Sequence, residues 1–268
     1  MNETEAGRLL REGDPVAALA VLQAQVRANP AEARLRVFLF QLLAVLGDRE
    51  RALNQLNVSA ELDPAALAMA SMYREALRCE ALRSEVFAGR KSPMIFGEPE
   101  RWLAQLIEAR LMAGRGDLAA SERFREQAFD AAPVSSGSLA GQRFEWLADA
   151  DMRLGPVCEA IINGRYYWLP FSNLAAIDIE APEDLRDMVW LPAHFRFING
   201  GETVGLIPTR YPGSESSEDG AIRLARKTEW QEASPGFFTG LGQRIWSTDG
   251  GDFALLDVRS IQFDQALA

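Results

Sequence analysis

The segment Gly13-Asp14-Pro15-Val16-Ala17-Ala18-Leu19-Ala20-Val21-Leu22, closed by Asn29-Pro30, decides the fold because it returns. At an offset of 34 residues stand Gly47-Asp48, Ala52-Leu53, Leu56 and Asp63-Pro64. A third copy opens at Gly116-Asp117 and closes at Pro133, with Ser121 and Glu122 in the places of the alanine and leucine. A period of about 34 residues is that of tetratricopeptide repeats, helix–turn–helix units that stack into a superhelix. Glycine accepts the positive φ that ends the first helix. Asp14, Asp48 and Asp117 are placed to cap the second helix. Proline then blocks its continuation. The spacing predicts helix pairs over 2–12 and 15–29, 31–46 and 49–62, and 99–114 and 118–131, with a long helix over 65–88. Stacked pairs leave a groove that suits a partner helix. Arg34, Phe38, Gln41 and Leu42, on the first helix of the second pair, are its expected lining.

Between the long helix and the third pair lies Gly89-Arg90-Lys91-Ser92-Pro93-Met94-Ile95-Phe96-Gly97-Glu98-Pro99. Its prolines and glycines exclude a helix. Met94, Ile95 and Phe96 suit it to covering a core.

Past Ala140 the composition changes. Residues 1–140 hold 27 alanines and 8 aromatics; residues 141–268 hold 13 alanines and 16 aromatics, a shift from helix-favouring to strand-favouring chain. Asn163-Gly164 divides 159–162 from 165–169, a type I′ hairpin signal. Asn199-Gly200-Gly201 divides 194–198 from 202–207, and Asp249-Gly250-Gly251-Asp252 divides 243–248 from 253–258. An antiparallel sheet or small barrel follows. A short helical turn is expected over 182–188 and a solvated acidic loop over 213–220. The fold class is therefore α+β in two domains: a tetratricopeptide-like α-α superhelix over 1–135, then a mostly antiparallel β domain over 141–268, with the joint at 132–138.

The chain has 268 residues and a net charge of −10. That balance argues against a nucleic-acid partner, since such affinity comes mostly from neutralising phosphates. The acidic start, Met1-Asn2-Glu3-Thr4-Glu5, lacks the features of a signal peptide. No apolar run reaches the roughly 18–20 residues of a membrane span. A cytoplasmic protein with no membrane partner is expected. Cys79 and Cys158 are the only cysteines, too few for a disulfide framework or a four-cysteine zinc site.

Signs of catalysis are sparse. His194, the single histidine, lies between Ala193 and Phe195 and reads as structural. Asp149 and Asp151 form half a metal site in extended or turn geometry. Their ordinary reading is ion pairing with Arg153 or Arg210. Gly240-Leu241-Gly242 reads as a two-glycine turn, not a dinucleotide fingerprint. No phosphate-binding loop, zinc-protease or nucleophile-elbow motif occurs. No cofactor and no enzymatic activity are expected.

Several stretches couple arginine or carboxylate to an aromatic ring, a pairing that suits stacking and forked hydrogen bonds. They are Phe144-Glu145-Trp146-Leu147-Ala148-Asp149-Ala150-Asp151-Met152-Arg153-Leu154-Gly155-Pro156, Arg210-Tyr211-Pro212-Gly213-Ser214, Thr228-Glu229-Trp230 and Gly242-Gln243-Arg244. With Phe87-Ala88-Gly89, Gly97-Glu98-Pro99 and Trp102, and Gly164-Arg165-Tyr166 with Trp168 and Pro170, their order and spacing resemble the ImpE family, also called TagJ. The resemblance covers nearly the whole chain. It implies a non-enzymatic cytoplasmic accessory factor of bacterial type VI secretion, associated with the contractile sheath and with the ClpV unfoldase that recycles it. It marks Glu98, Trp102, Trp146, Asp149, Asp151, Arg153, Arg210, Tyr211, Glu229, Trp230, Gln243 and Arg244 as an interdomain or recognition surface. Two alternatives stand beside the adaptor: a metal-dependent hydrolase using Asp149 and Asp151, and a generic repeat-type chaperone.

Overall fold

The computed structural model describes residues 4–264. Seven helices come first: α1 (Glu5–Arg11), α2 (Pro15–Ala28), α3 (Ala33–Val45), α4 (Arg49–Leu62), α5 (Leu67–Phe87), α6 (Arg101–Gly114) and α7 (Leu118–Ala131). The repeat produces the pairs α1–α2, α3–α4 and α6–α7, and α5 fills the expected long stretch after a 3-10 turn at Pro64–Ala66. Residues 2–3 of the first expected helix lie outside the described residues. Asp14, Asp48 and Asp117 accept hydrogen bonds from the amides of Ala17, Arg51 and Ala120 at 2.8, 3.2 and 3.0 Å. Gly13, Gly47 and Gly116, one residue earlier, all have positive φ. Ala18 and Ala52 are fully buried between their paired helices.

Thirteen strands follow: β1 (Gly137–Leu139), β2 (Gln142–Phe144), β3 (Leu147–Asp149), β4 (Val157–Ile162), β5 (Arg165–Pro170), β6 (Leu174–Ile179), β7 (Trp190–Phe197), β8 (Glu202–Pro208), β9 (Thr228–Ser234), β10 (Phe237–Gly242), β11 (Ile245–Thr248), β12 (Gly251–Ala254) and β13 (Ser260–Phe263). A four-residue helix α8 (Gly220–Arg223) precedes β9. An eight-stranded sheet runs β2-β1-β13-β6-β7-β8-β4-β5, beside a three-stranded sheet β12-β11-β3 and a ribbon β10-β9. All the strand pairs are antiparallel.

The expected hairpins form at 163–164, 198–201 and 249–250. Asn163 and Gly164 both have positive φ, as a type I′ turn demands. The third hairpin is shorter than expected, because Leu255–Asp257 turns into a 3-10 helix. The 182–188 turn is a 3-10 helix at Leu185–Met188, boxed by Asp184 and Asp187.

Two local expectations are corrected. Gly240-Leu241-Gly242 lies on β10, not in a turn. A Cβ on Gly240 would fall 2.2 Å from the Tyr211 ring, so this glycine serves close packing. The acidic 213–220 loop is not freely solvated: Ser214 is fully buried, and the Glu215 side chain packs over Gly47.

The eight-stranded sheet packs against other elements on both faces. One face, with Ile177, Leu191, Phe195 and Ile207, packs against Leu147 and Trp246 of the small sheet. The other contributes Ile161, Trp168, Trp190 and Leu206 to a core continuous with the helices. The 89–99 connector covers this body as expected. The Met94 amide donates to the Tyr166 carbonyl at 3.1 Å, and Phe96 stacks on Tyr167 at 4.5 Å.

Candidate functional site

Where α5 crosses the helix-facing side of the sheet, the core turns charged. β4 carries Glu159 inside the apolar run Val157-Cys158-Glu159-Ala160-Ile161-Ile162, and strand alternation aims it at α5. Arg83 of α5 meets it with two bonds, Nε to Oε1 at 2.6 Å and Nη2 to Oε2 at 3.0 Å. The same Nη2 donates to the Arg210 carbonyl at 2.8 Å. Arg244 reaches Glu159 with Nη2 and Asp149 with Nη1, while its Nε donates to the Pro208 carbonyl at 2.9 Å. Tyr166 donates its hydroxyl to Glu159 and accepts from Trp168 Nε1 at 2.8 Å. On the far side, Trp190 Nε1 donates to Glu80 at 3.1 Å. Trp190, Glu80, Arg83, Glu159, Arg244 and Asp149 thus form one chain of polar contacts from helix to sheet to β3.

Burial sets the electrostatics. It would raise the Glu159 carboxyl, but the Arg83 and Arg244 guanidiniums outweigh it and hold the group down at about 2. Burial pushes Asp149 up to about 6; Arg244 offsets this only in part, and the neighbouring Asp151 charge adds to it. Burial would lower the Arg244 guanidinium, yet Asp149 and Glu159 keep it firmly charged. Cys158, behind them, is pushed up by burial and is not a nucleophile in this setting.

Asp149 and Asp151 do not fit a metal. Asp149 Oδ1 accepts the Asp151 amide at 2.9 Å, and Oδ2 accepts Arg244. Asp151 takes Arg153 on both oxygens, plus the amides of Arg153 and Gly240 at 2.9 Å each. Each of the four carboxylate oxygens already accepts a hydrogen bond from a protein donor. Among the described residues no group of three or more potential ligands gathers. The expected pairing with Arg153 forms at Asp151, while Asp149 takes Arg244 and Arg210 joins neither carboxylate. Arg210 instead donates to the Val45 carbonyl of α3 at 2.8 Å and to that of Arg223, and burial lowers it to about 10.

The remaining marked residues divide. Tyr211 is fully buried beneath Arg244, and Gln243 bonds the Ala225 carbonyl at 2.8 Å. Trp102 is buried among the helices and donates to Glu100. Glu98 and Glu229 are exposed, Glu229 paired with Lys227. Trp146 and Trp230 are 41% and 42% exposed. The 149–155 turn reaches the helices: Arg153 lies over the Phe87 ring at 4.9 Å, and Gly155 fits against Phe129. His194 sits half-buried on β7, 3.5 Å from Glu202.

The groove lining needs correction. Leu42 is fully buried and Gln41 nearly so, because the 3-10 turn at 185–188 packs across α3; only Arg34 is exposed, with Phe38 half-buried. The chain's own β half occupies that side of the helices.

Sequence reasoning missed Glu80, Arg83 and Glu159. The signal was present: a lone glutamate in an apolar strand, and an arginine on the buried stripe Tyr73, Ala76, Arg83, Phe87 of α5. A buried charge requires a partner.

The structure is thus that of a helical-repeat array joined to a β-sheet body by paired buried charges, with Asp149 and Asp151 each held by an arginine. The ImpE family profile, described as ImpE protein, matches residues 141–262. A Pseudomonas aeruginosa protein named type VI secretion system accessory component TagJ is 52% identical over 259 residues, covering 97% of this chain and 91% of that protein. A crystal structure of a Vibrio parahaemolyticus protein superposes with a TM-score of 0.89 at 28% identity, covering 98% of this chain and 99% of that one. This chain belongs to the ImpE (TagJ) family.

Proposed function

We propose that this protein is a non-enzymatic cytoplasmic adaptor of a bacterial type VI secretion system. In this reading it binds a helical segment of a contractile-sheath subunit, with the ClpV unfoldase that recycles the sheath as a second partner. The observation that carries it is the 52% identity, along almost the entire chain, to a type VI accessory component. Two features support it: the helix pairs α1–α2, α3–α4 and α6–α7, and the commitment of Asp149 and Asp151 to arginines and backbone amides. No described helix is long and apolar enough to cross a membrane. Residues 1–135 and 141–268 act in this reading as two domains with a permanent interface. Asp149, Asp151, Arg153, Arg210 and Arg244 brace that interface and perform no chemistry.

The test is titration of the full-length protein with the purified sheath subunit of the same secretion system, followed by calorimetry. A saturable one-site isotherm is expected. An absence of binding would contradict the sheath assignment and favour a general chaperone, which would instead suppress aggregation of unrelated clients. A stoichiometric divalent ion in the purified protein, with hydrolysis lost in Asp149→Asn, would revive the hydrolase.

A further inference from the structure

Beside the 149–155 turn, three arginines converge on the seam between the helices and the β half. Arg153, in the turn, lies over the Phe87 ring and forks onto Asp151 through Nε and Nη2. Arg110 of α6 donates from Nη2 to the carbonyl of the same Phe87, the last residue of α5. Arg125 of α7 lies 4.0 Å from the centre of the Phe237 ring on β10. Arg110 feels both of the others. Burial, then the charges of Arg153 and Arg125, lower it to about 10, and Asp151 offsets this only in part.

Only one of these three charges is matched. Asp151 is committed to the Arg153 side chain and to the amides of Arg153 and Gly240. Among the described residues neither Arg110 nor Arg125 forms an ion pair. Arg110 Nε is buried and bonded to nothing. Arg125 is only 9% exposed, yet none of its five N–H groups meets an acceptor among the described residues. Its acidic neighbours along α7, Glu122 and Glu126, are exposed and do not offset its burial, which leaves the guanidinium lowered. A buried charge without a partner is costly, so two of them at one seam call for a ligand. That ligand must bring two negative charges and several acceptor oxygens in a compact group. Phe87 and Phe237 are already engaged by Arg153 and Arg125, so charge, not stacking on a base, selects it.

We propose that Arg110, Arg125 and Arg153 form a binding site for a doubly charged oxyanion of the phosphate class, bridging α6 and α7 to the 149–155 turn. Guanidinium forks suit the oxygens of such a group. Arg110 and Arg125 supply the two spare charges and the N–H groups that the protein leaves unused. Arg153, held in place by Asp151, adds its uncommitted Nη1. The site draws on both halves of the chain, so a bound anion tightens the joint between them. The inference goes beyond the adaptor reading and does not depend on it.

The test uses the full-length protein in phosphate-free buffer at about pH 8, where a phosphate group carries close to two charges. Inorganic phosphate is titrated in at an ionic strength held constant with sodium chloride. A saturable one-site isotherm is expected, with a melting temperature that rises with phosphate, because a ligand that binds only the folded chain stabilises it. Arg125→Met breaks no hydrogen bond. It should melt no lower than the unaltered protein without phosphate, and bind phosphate about tenfold more weakly or worse. Arg110→Met should lose binding to a similar degree; if it fails to fold, Arg125→Met alone decides. Arg123→Met, exposed on α7, is expected to bind as the unaltered protein does. Acetate, with one charge, should bind about tenfold more weakly than phosphate or worse. Glycerol 3-phosphate separates the two sources of the group: binding as tight as that of phosphate assigns an ester, weaker binding the free ion, and both support the site. A melting temperature that phosphate raises no more than chloride does overturns the proposal. So does a rise that Arg125→Met retains in full, or acetate binding as tightly as phosphate. A lower melting temperature for Arg125→Met without phosphate would show that its charge is matched within the chain, and also overturns it.

Discussion

The two faces of the eight-stranded sheet are buried by different means. Toward the small sheet, Leu191, Phe195, Ile207 and Trp246 exclude water by apolar contact, with no ion pair among them. Toward the helices, an apolar core of Ile161, Trp168, Trp190 and Leu206 also encloses Glu159, Arg83, Arg244 and Asp149, which are just as buried and are held by bonds between charges. Apolar contact is non-directional, so it stabilises a core without dictating how two units sit. A paired charge tolerates one geometry, because any other leaves it desolvated and alone. The apolar face supplies stability to the β half, and the charged face sets how the helices lie across it.

The largest effect that would sharpen this contrast comes from its hub. Glu159→Ala strips the buried Arg83 of its two-bond partner and leaves Arg244 with Asp149 alone, and should cost about 3–5 kcal/mol in urea unfolding. Phe195→Ala, on the other face, should cost a similar ~3–5 kcal/mol by opening a cavity. The two part company in acid. Glu159 titrates at about 2 when folded against an ordinary 4.5, so its stabilisation is complete above 4.5 and is lost as pH falls toward 2. Glu159→Ala should flatten that acid limb, and Phe195→Ala should keep it. Equal acid limbs in the two variants would break the contrast.

A smaller effect of opposite sign belongs to Asp149. Its folded value is raised from 3.8 to about 6, so between those values the folded state keeps a proton that the unfolded chain has lost. Stability from this group therefore declines as pH rises through that window. Asp149→Asn should abolish the decline in melting temperature between pH 4 and pH 6; a persisting decline would assign it elsewhere.

Within the helices, Asp48→Ala should cost about 1 kcal/mol through the lost cap. Smallest of all, Trp146→Ala at the exposed surface should change stability by no more than about 0.5 kcal/mol.

The helical array was legible because its signals are local. A glycine and an aspartate at each turn specify positive φ and a cap within a few residues, and both recur at a fixed period. The Asn163-Gly164 hairpin was legible for the same reason. The pairing of β1 with β13 was not, since Gly137 meets Phe263 and nothing near either residue encodes the other. The charged contacts lie between these extremes. The arginine-rich stretches pointed to Asp149, Arg210 and Arg244, but not to which of them would meet. Arg83 is 76 residues from Glu159, and Arg244 is 95 from Asp149. Gln41 and Leu42 misled because helical spacing marks a face as apolar without saying what covers it. Here the chain's own β half does.

The claim that paired charges, not hydrocarbon alone, join the helices to the sheet is tested most directly by a double-mutant cycle. Arg83→Met, Glu159→Gln and the double variant are unfolded in urea beside the unaltered protein. A coupling of about 1 kcal/mol or more between the two positions is predicted, with the double variant more stable than the sum of the single losses implies. Additivity to within about 0.5 kcal/mol would show that the two residues act independently and would contradict the account.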